Sequence, residues 1–168
     1  VYSPVNYDSK FHGNVTLRQA LANSYNIPAV KLVSSVGGDD MVKLGGELGL
    51  TDWEVDNSYG LAVTLGGKEV RLLDLTNGYA TFSRGGTYKD VSPILSIKDS
   101  YGYEVYNEEG EERQVLDENV SYLISNILSD NYARSPAFGS SSSLVIPGYT
   151  VAAKTGTTDL KRDNWTFG

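Results

Sequence analysis

Residues Tyr149 to Asp159 read YTVAAKTGTTD, and how this stretch folds decides the architecture of everything around it. Counted from Gly148, it falls one residue short of the phosphate-loop pattern G-x-x-x-x-G-K-[ST]. Gly148, Lys154 and Thr155 match, and Ala153 stands where the second glycine belongs. A phosphate loop follows a strand and opens a helix, so that backbone N–H groups converge on the anion. Here YTVAA is itself strand-like, and GTTDLKRDNW after it carries no apolar helical stripe. The phosphate-loop reading loses, and YTVAAKTG reads as a strand. Lys154 and Gly156 are expected on one face and Thr155 on the other, with Thr157 returning to the lysine's face. Gly156 permits close approach of another backbone. A fixed positive charge and threonine hydroxyls along a strand edge suit a peptide that ends in a carboxylate. An exposed strand lysine is the bland alternative, because K-T-G-T alone is a short and common string.

The rest of the chain is mostly helical in pattern. In NVTLRQALANS, Leu17, Ala20, Leu21 and Ser24 fall at i, i+3, i+4 and i+7, with Asn14 or Thr16 as cap. Pro28 in IPAVKLVSSV fits a first helical position, and Gly37–Gly38 end that helix. A short helix follows in DDMVKLGGELGL, capped by Asp39 or Asp40. GGKEVRLLDLTNGYATFSRGG predicts a longer one with Leu72, Leu75, Tyr79 and Phe82 on its stripe, stopped at Gly85–Gly86. ILSIKDSYGYEVYN reads as a hairpin about DSYG. DENVSYLISNILSDN gives the clearest helix, capped by Asp117 and buried through Val120, Leu123, Ile124, Ile127 and Leu128. FGSSSSLVIPG is a loop, DLKRD a turn, and NWTFG the start of a second strand. A run of helices followed by strands is an α+β arrangement with part of an antiparallel sheet present.

Composition removes several classes of function. The 168 residues suit one domain or a large piece of one, and a net charge of −7 without a basic stripe argues against nucleic-acid binding. With no cysteine and one histidine, His12, neither a thiolate nor a His-rich metal site is available, and no cofactor is expected. His12, in the turn KFHGN, reads as structural or exposed. The acidic run NEEGEE reads as a solvated connector. Of the twelve tyrosines, Tyr79 and Tyr122 are expected in or near the core, and Trp165 is expected to pack beneath the sheet. No apolar run is long enough to span a membrane. Val1 is not an initiator methionine and NWTFG stops in mid-strand, so both ends read as cut, and any anchor would lie outside these residues.

A second short motif, S-x-N, stands at Ser24-Tyr25-Asn26, at the joint between the first two helices. Helix-end capping is the plain reading of Ser24 and Asn26. The functional one places a hydroxyl and an amide together opposite the lysine strand. S-x-N followed by K-T-G is shared with penicillin-binding proteins and class A β-lactamases. The stretches PVNYDSKFHGNVTLRQALANSYNIPAVKL, LGGKEVRLLDLTNGYATFSRGG and VAAKTGTTDLKRDNWTFG carry the likeness further. From about Pro4 to Gly168 the chain resembles the transpeptidase domain of class A, bifunctional penicillin-binding proteins. The segment Thr64 to Gly86 favours class A over class B enzymes and β-lactamases.

The resemblance implies a partial penicillin-binding-protein/β-lactamase-like serine transpeptidase fold, a helical subdomain plus part of the sheet. Residues 1–168 would be the C-terminal portion of that domain. It implies that Ser24 shares in proton transfer, with Lys154 supplying positive potential and orienting Ser24. Asn26 would bind the stem peptide. Thr155 and Thr157, beside Gly156, would hold the terminal D-Ala carboxylate, with the Thr157 N–H in the oxyanion hole. The family's first motif, S-x-x-K, holds the nucleophile, and this chain has none: three residues before its eight lysines stand Tyr7, Pro28, Asp40, Leu65, Gly86, Leu95, Val151 and Thr158. The implied parent is a D,D-transpeptidase inhibited by β-lactams, and this piece is expected to be inactive alone. The implied partners are stem peptides ending in D-Ala-D-Ala and β-lactams. The implied place is the outer face of the cytoplasmic membrane, with an anchor and a glycosyltransferase domain upstream. A carboxypeptidase or β-lactamase, and a non-catalytic cell-wall peptide or β-lactam sensor, are the alternatives.

Overall fold

The first helix is held at its start by a capping box. Thr16 accepts from the Gln19 N–H, and the Gln19 side chain accepts from the Thr16 N–H. In the computed structural model, which describes residues 3–55, 59–158 and 162–168, helix α1 runs over Leu17–Ala22. It is only six residues long, so the stripe expected from Leu17 to Ser24 is not realised: Ala20 and Ala22 are buried, Leu17 is 70% exposed, and Ser24 lies beyond the helix. Helix α2, Asn26–Val36, begins two residues before the expected Pro28. Pro28 sits in its first turn, where the missing N–H leaves no bond unmade. Gly37 divides α2 from α3, Gly38–Glu47. Asp39 and Asp40 lie inside the first turn of α3 and do not cap it; there they favour the positive end of the helix dipole.

A 3₁₀ turn over Leu61–Leu65 leads to α4, Leu72–Ser83. The base of α4 is tied by Asp74, which is buried and accepts from both Arg71 Nε at 2.9 Å and Nη2 at 3.0 Å, and from Thr51 Oγ1 at 2.8 Å. Those bonds from Arg71, ahead of any effect of burial, hold the Asp74 carboxyl below its usual range. Leu72 is solvent-exposed, while Tyr79 and Phe82 are half-buried with their rings edge to face. Strands follow in three antiparallel pairs. β1 (Thr87–Lys89) pairs with β4 (Glu112–Gln114). β2 (Ser96–Lys98) and β3 (Glu104–Asn107) form the expected hairpin. The run NEEGEE therefore begins as the end of β3 and finishes as the start of β4, where Lys89 Nζ donates to Glu112 at 3.0 Å.

Helix α5, Glu118–Leu128, is capped by Asp117 as expected. Its buried residues are Ser121 and Leu128, whereas Val120, Leu123 and Tyr122 are exposed, so the inward face is turned away from the most apolar stripe. The next element has no counterpart in the sequence reading. Helix α6, Asn131–Phe138, is capped by Asp130 and contains Pro136. Pro136 has no N–H to give Tyr132, and the Ser135 hydroxyl donates to the Tyr132 carbonyl instead, at 2.8 Å. The final pair is β5 (Lys154–Thr157) with β6 (Asn164–Phe167). Most of the expected turn DLKRD lies outside the described residues. The class is α+β as expected, with the sheet present among the described residues as three two-stranded pieces. Val30, Val33, Val42, Val63 and Leu128 are among the core side chains.

Candidate functional site

The joint between α1 and α2 is a sharp turn at Ser24, which takes a left-handed φ of +57°. A residue other than glycine is uncommon there, and the conformation crowds Cβ against the backbone. Backbone bonds enforce it: Ser24 N–H donates to Leu21 O at 3.2 Å and Tyr25 N–H to Ala20 O at 3.0 Å. Capping does not account for it, since neither Ser24 nor Asn26 caps a helix. The uncapped start of α2 is served from a distance by buried Asn6, whose Oδ1 accepts from Ile27 N–H at 3.1 Å. Asn26 Nδ2 donates to Val5 O at 2.8 Å. One amide proton is thereby engaged, and the second proton and Oδ1 remain for other groups. Tyr25 stacks on His12, ring centroids 4.0 Å apart, and His12 Nε2 sits 2.9 Å from Asp8 Oδ2. The N-terminal segment thus wraps the S-x-N joint.

Strand β5 comes up to this joint from the other end of the chain. Lys154 Nζ donates to Ser24 Oγ at 2.7 Å across 130 residues, and to Thr155 O at 2.6 Å. Burial of the ammonium drags its pKa from the usual lysine range down to about 8. A lysine near neutrality, hydrogen-bonded to a hydroxyl, can pass a proton in either direction. The hydroxyl that accepts from it keeps its own O–H to donate.

The register is regular: Lys154 opposes Phe167, Thr155 Thr166, Gly156 Trp165, and Thr157 Asn164. Thr157 therefore shares a face with Thr155 and not with Lys154, because no bulge interrupts the two-residue alternation. The expected return of Thr157 to the lysine's face is corrected on that ground. The strand is also shorter than YTVAAKTG, since Ala153 N–H is taken by Leu128 O at 3.0 Å, at the end of α5. Gly156 is open to approach, with nothing within 4 Å of where a Cβ would stand. Among the described residues the edge of β5 opposite β6 has no strand partner. Behind the strand pair, Phe167 stacks on Tyr79 with centroids 4.9 Å apart and meets Trp165 edge-on, which places Trp165 in packing. Among the described residues no group of three or more His, Cys, Asp or Glu side chains is set to hold a metal ion.

The order of these parts has a counterpart in known proteins. The family model for the penicillin binding protein transpeptidase domain matches residues 2–166. The chain belongs to the penicillin-binding protein transpeptidase family. Penicillin-binding protein 1A of Aquifex aeolicus is 36% identical over 98% of the chain and 22% of its own length. Penicillin-binding protein 1A/1B of Bacillus subtilis is 30% identical over 92% of the chain and 16% of its own length. The expected class A affinity is borne out by these 1A-type relatives, of which this chain spans about a fifth. Penicillin-binding protein 1A from Haemophilus influenzae superposes with a TM-score of 0.76 at 19% identity, over 98% of this chain and 30% of that one. Penicillin-binding protein A from M. tuberculosis, solved as an imipenem acyl-enzyme complex, gives 0.72 at 23% identity, over 92% and 39%. These two bear on the fold alone. Two residues that escaped the sequence reading bond to the backbone beside this pair: Asn23, directly before Ser24, donates to Ala133 O on α6, and Arg134, also on α6, reaches Ala153 O. Neither sits in a motif, and Pro136 hides the helix that carries Arg134.

Proposed function

We propose that this chain is part of a peptidoglycan D,D-transpeptidase and supplies the proton-transfer pair and the carboxylate-binding strand of its site. The observation that carries the reading is the 2.7 Å contact between Lys154 Nζ and Ser24 Oγ. Two short motifs that mean little apart form one hydrogen-bonded unit. The nucleophile comes from a serine of the parent protein outside these residues. Its oxygen attacks the carbonyl of the penultimate D-Ala while its proton passes to the lysine of the same S-x-x-K. The C–N bond to the terminal D-Ala breaks, and the leaving amine takes a proton from Ser24, which regains one from that lysine while Lys154 orients it. The acyl group then passes to the amine of a neighbouring stem peptide. Thr155 and Thr157, on one face of β5, bind the terminal carboxylate, and the bare Gly156 lets the peptide backbone lie along the free edge. Asn26 hydrogen-bonds the stem peptide with the part of its amide that Val5 leaves available. The Thr157 N–H serves the oxyanion hole, where loss of one donor costs about 3 kcal/mol. β-Lactams inhibit by acylating the same serine.

The parent works at the bacterial cell envelope, outside the cytoplasmic membrane, and carries a glycosyltransferase domain. The test is the intact mass of this chain and of a longer chain containing the upstream S-x-x-K, each after benzylpenicillin. An adduct on the longer chain alone is the expected result. An adduct on the 168-residue chain would mean that the nucleophile is misassigned. No adduct on either would favour a non-catalytic peptide-binding module.

A further inference from the structure

Helix α6 is an odd component for a core. Its one buried residue is Arg134, 2% exposed, and burial lowers the guanidinium's affinity for its proton. A buried cation is unfavourable unless its donors are well used, and an apolar side chain of similar volume would commonly hold a helix as firmly. The hydrogen bonds of α6 show where that burial is directed. Arg134 Nη2 donates to Leu128 O, and Nη1 reaches Ala153 O at 3.5 Å. Leu128 O also accepts from Ala153 N–H. Ala153 directly precedes Lys154. On its other side, α6 grips Asn23, which directly precedes Ser24. Asn23 is buried; its Nδ2 donates to Ala133 O at 2.8 Å and to Gln19 O at 3.0 Å, and its Oδ1 accepts from Ala137 N–H at 3.0 Å. Ala133 and Ala137 are one turn apart and flank Arg134 in sequence. Arg18 of α1 adds a more exposed tie, donating to Asp130 at 2.9 Å and to Asn126 at 2.6 Å.

We propose that α6 is a bracket that sets the Ser24–Lys154 distance, and that Asn23 and Arg134 are positioning residues for acyl transfer. The inference rests on the reading of Ser24 and Lys154 as the proton-transfer pair. Neither positioning residue touches substrate. Each fixes the backbone immediately before a reacting side chain, one through a buried amide and the other through a buried guanidinium. Polar groups suit this task because hydrogen bonds specify direction and register, whereas apolar contact does not. A displacement of about 1 Å between reacting groups can slow a reaction by about 100-fold.

The test uses the full-length protein and two independent readouts. The first is the pH dependence of labelling of Lys154 by an amine reagent, read by peptide mass, with exposed Lys31 as the internal reference. The second is the rate of acylation by benzylpenicillin, scaled to the folded fraction. In the wild type, Lys154 should label with a midpoint of about 8. Asn23→Ala and Arg134→Met should each raise that midpoint by about one unit, as the lysine hydrates, and slow acylation roughly 10- to 100-fold. Lys31 should not move. Arg134→Lys, with a single donor group, should recover part of both effects. The double variant should be little worse than the poorer single one, since either cut frees the bracket. Earlier unfolding with an unmoved Lys154 midpoint, in Asn23→Ala or Arg134→Met, would reduce both residues to ordinary packing and overturn the proposal. Should Arg134→Met fail to fold, Asn23→Ala decides. A wild type that labels near 8 but is never acylated would remove the transpeptidase reading and leave the bracket standing.

Discussion

At the scale of single residues, Ser24 and Lys154 are each held in an unfavourable state. Ser24 occupies a left-handed conformation that disfavours any side chain by about 1–2 kcal/mol. Ser24→Gly and Ser24→Ala both delete the hydroxyl, but only glycine relieves the strain. The glycine variant should be the more stable by about 1 kcal/mol, and both should lose acylation roughly 100-fold. Equal stability by urea denaturation would mean that the turn is not strained. Lys154 has a folded pKa of about 8, against the ordinary lysine value of 10.5. Between those values the unfolded chain binds more protons than the folded one, so this group's contribution to stability rises with pH across that window. Below about 8 its buried charge costs on the order of 3 kcal/mol, partly offset by its bonds to Ser24 and Thr155. Lys154→Met should therefore be more stable than the wild type at neutral pH, with the gap closing from pH 8 to 10.5, while acylation is lost. Denaturation curves from pH 6 to 10 would show it, and a gap that does not change with pH would contradict it.

At the scale of elements, spacing placed helices better than it placed their faces. Stripe residues such as Leu123 and Val120 are exposed on α5, whereas its small Ser121 is fully buried, as is Thr81 on α4, the helix it packs against. The Thr81 hydroxyl donates back to Asn77 O at 3.1 Å, while Ser121 Oγ finds no partner among the described residues. Ser121→Ala should accordingly be neutral or stabilise the domain by up to about 1 kcal/mol, a result that thermal unfolding can check. Loss of stability would place an ordered partner on that hydroxyl. The end of α4 makes the opposite demand. Gly86 has a φ of +92°, its carbonyl receives the Val115 and Leu116 N–H groups, and a Cβ there would collide with Leu116 O. Gly86→Ala should cost about 2–4 kcal/mol and loosen the β1–β4 pair, detectable as faster amide exchange at Val115. The paired glycines were readable as a helix stop. The contact that requires Gly86 was not, because it comes from Leu116, in the connection between β4 and α5, 30 residues further along the chain.

At the scale of the whole molecule, many large apolar side chains lie on the surface, Leu17, Leu72, Leu73 and Leu123 among them, and among the described residues one edge of β5 has no strand partner. The 168-residue chain alone should therefore associate as its concentration rises, which sedimentation velocity can measure; a monomer at high concentration would count against this. What the sequence by itself determined is local: a helix start capped by Asn14 or Thr16, the hairpin about DSYG, the strand at K-T-G-T, and two motifs whose order pointed to a family. These are legible because a helix start, a tight turn or an alternating strand is set by neighbours a few residues apart. Tertiary structure alone decided that Ser24 meets Lys154 at hydrogen-bonding distance. It also decided that Asn23 meets Ala133 and Ala137 of α6, and that Arg134 reaches the carbonyl before Lys154. Each depends on carbonyls and amides brought together from opposite ends of the chain, and burial makes those bonds obligatory, because a polar group without water must find its partner wherever the fold delivers one.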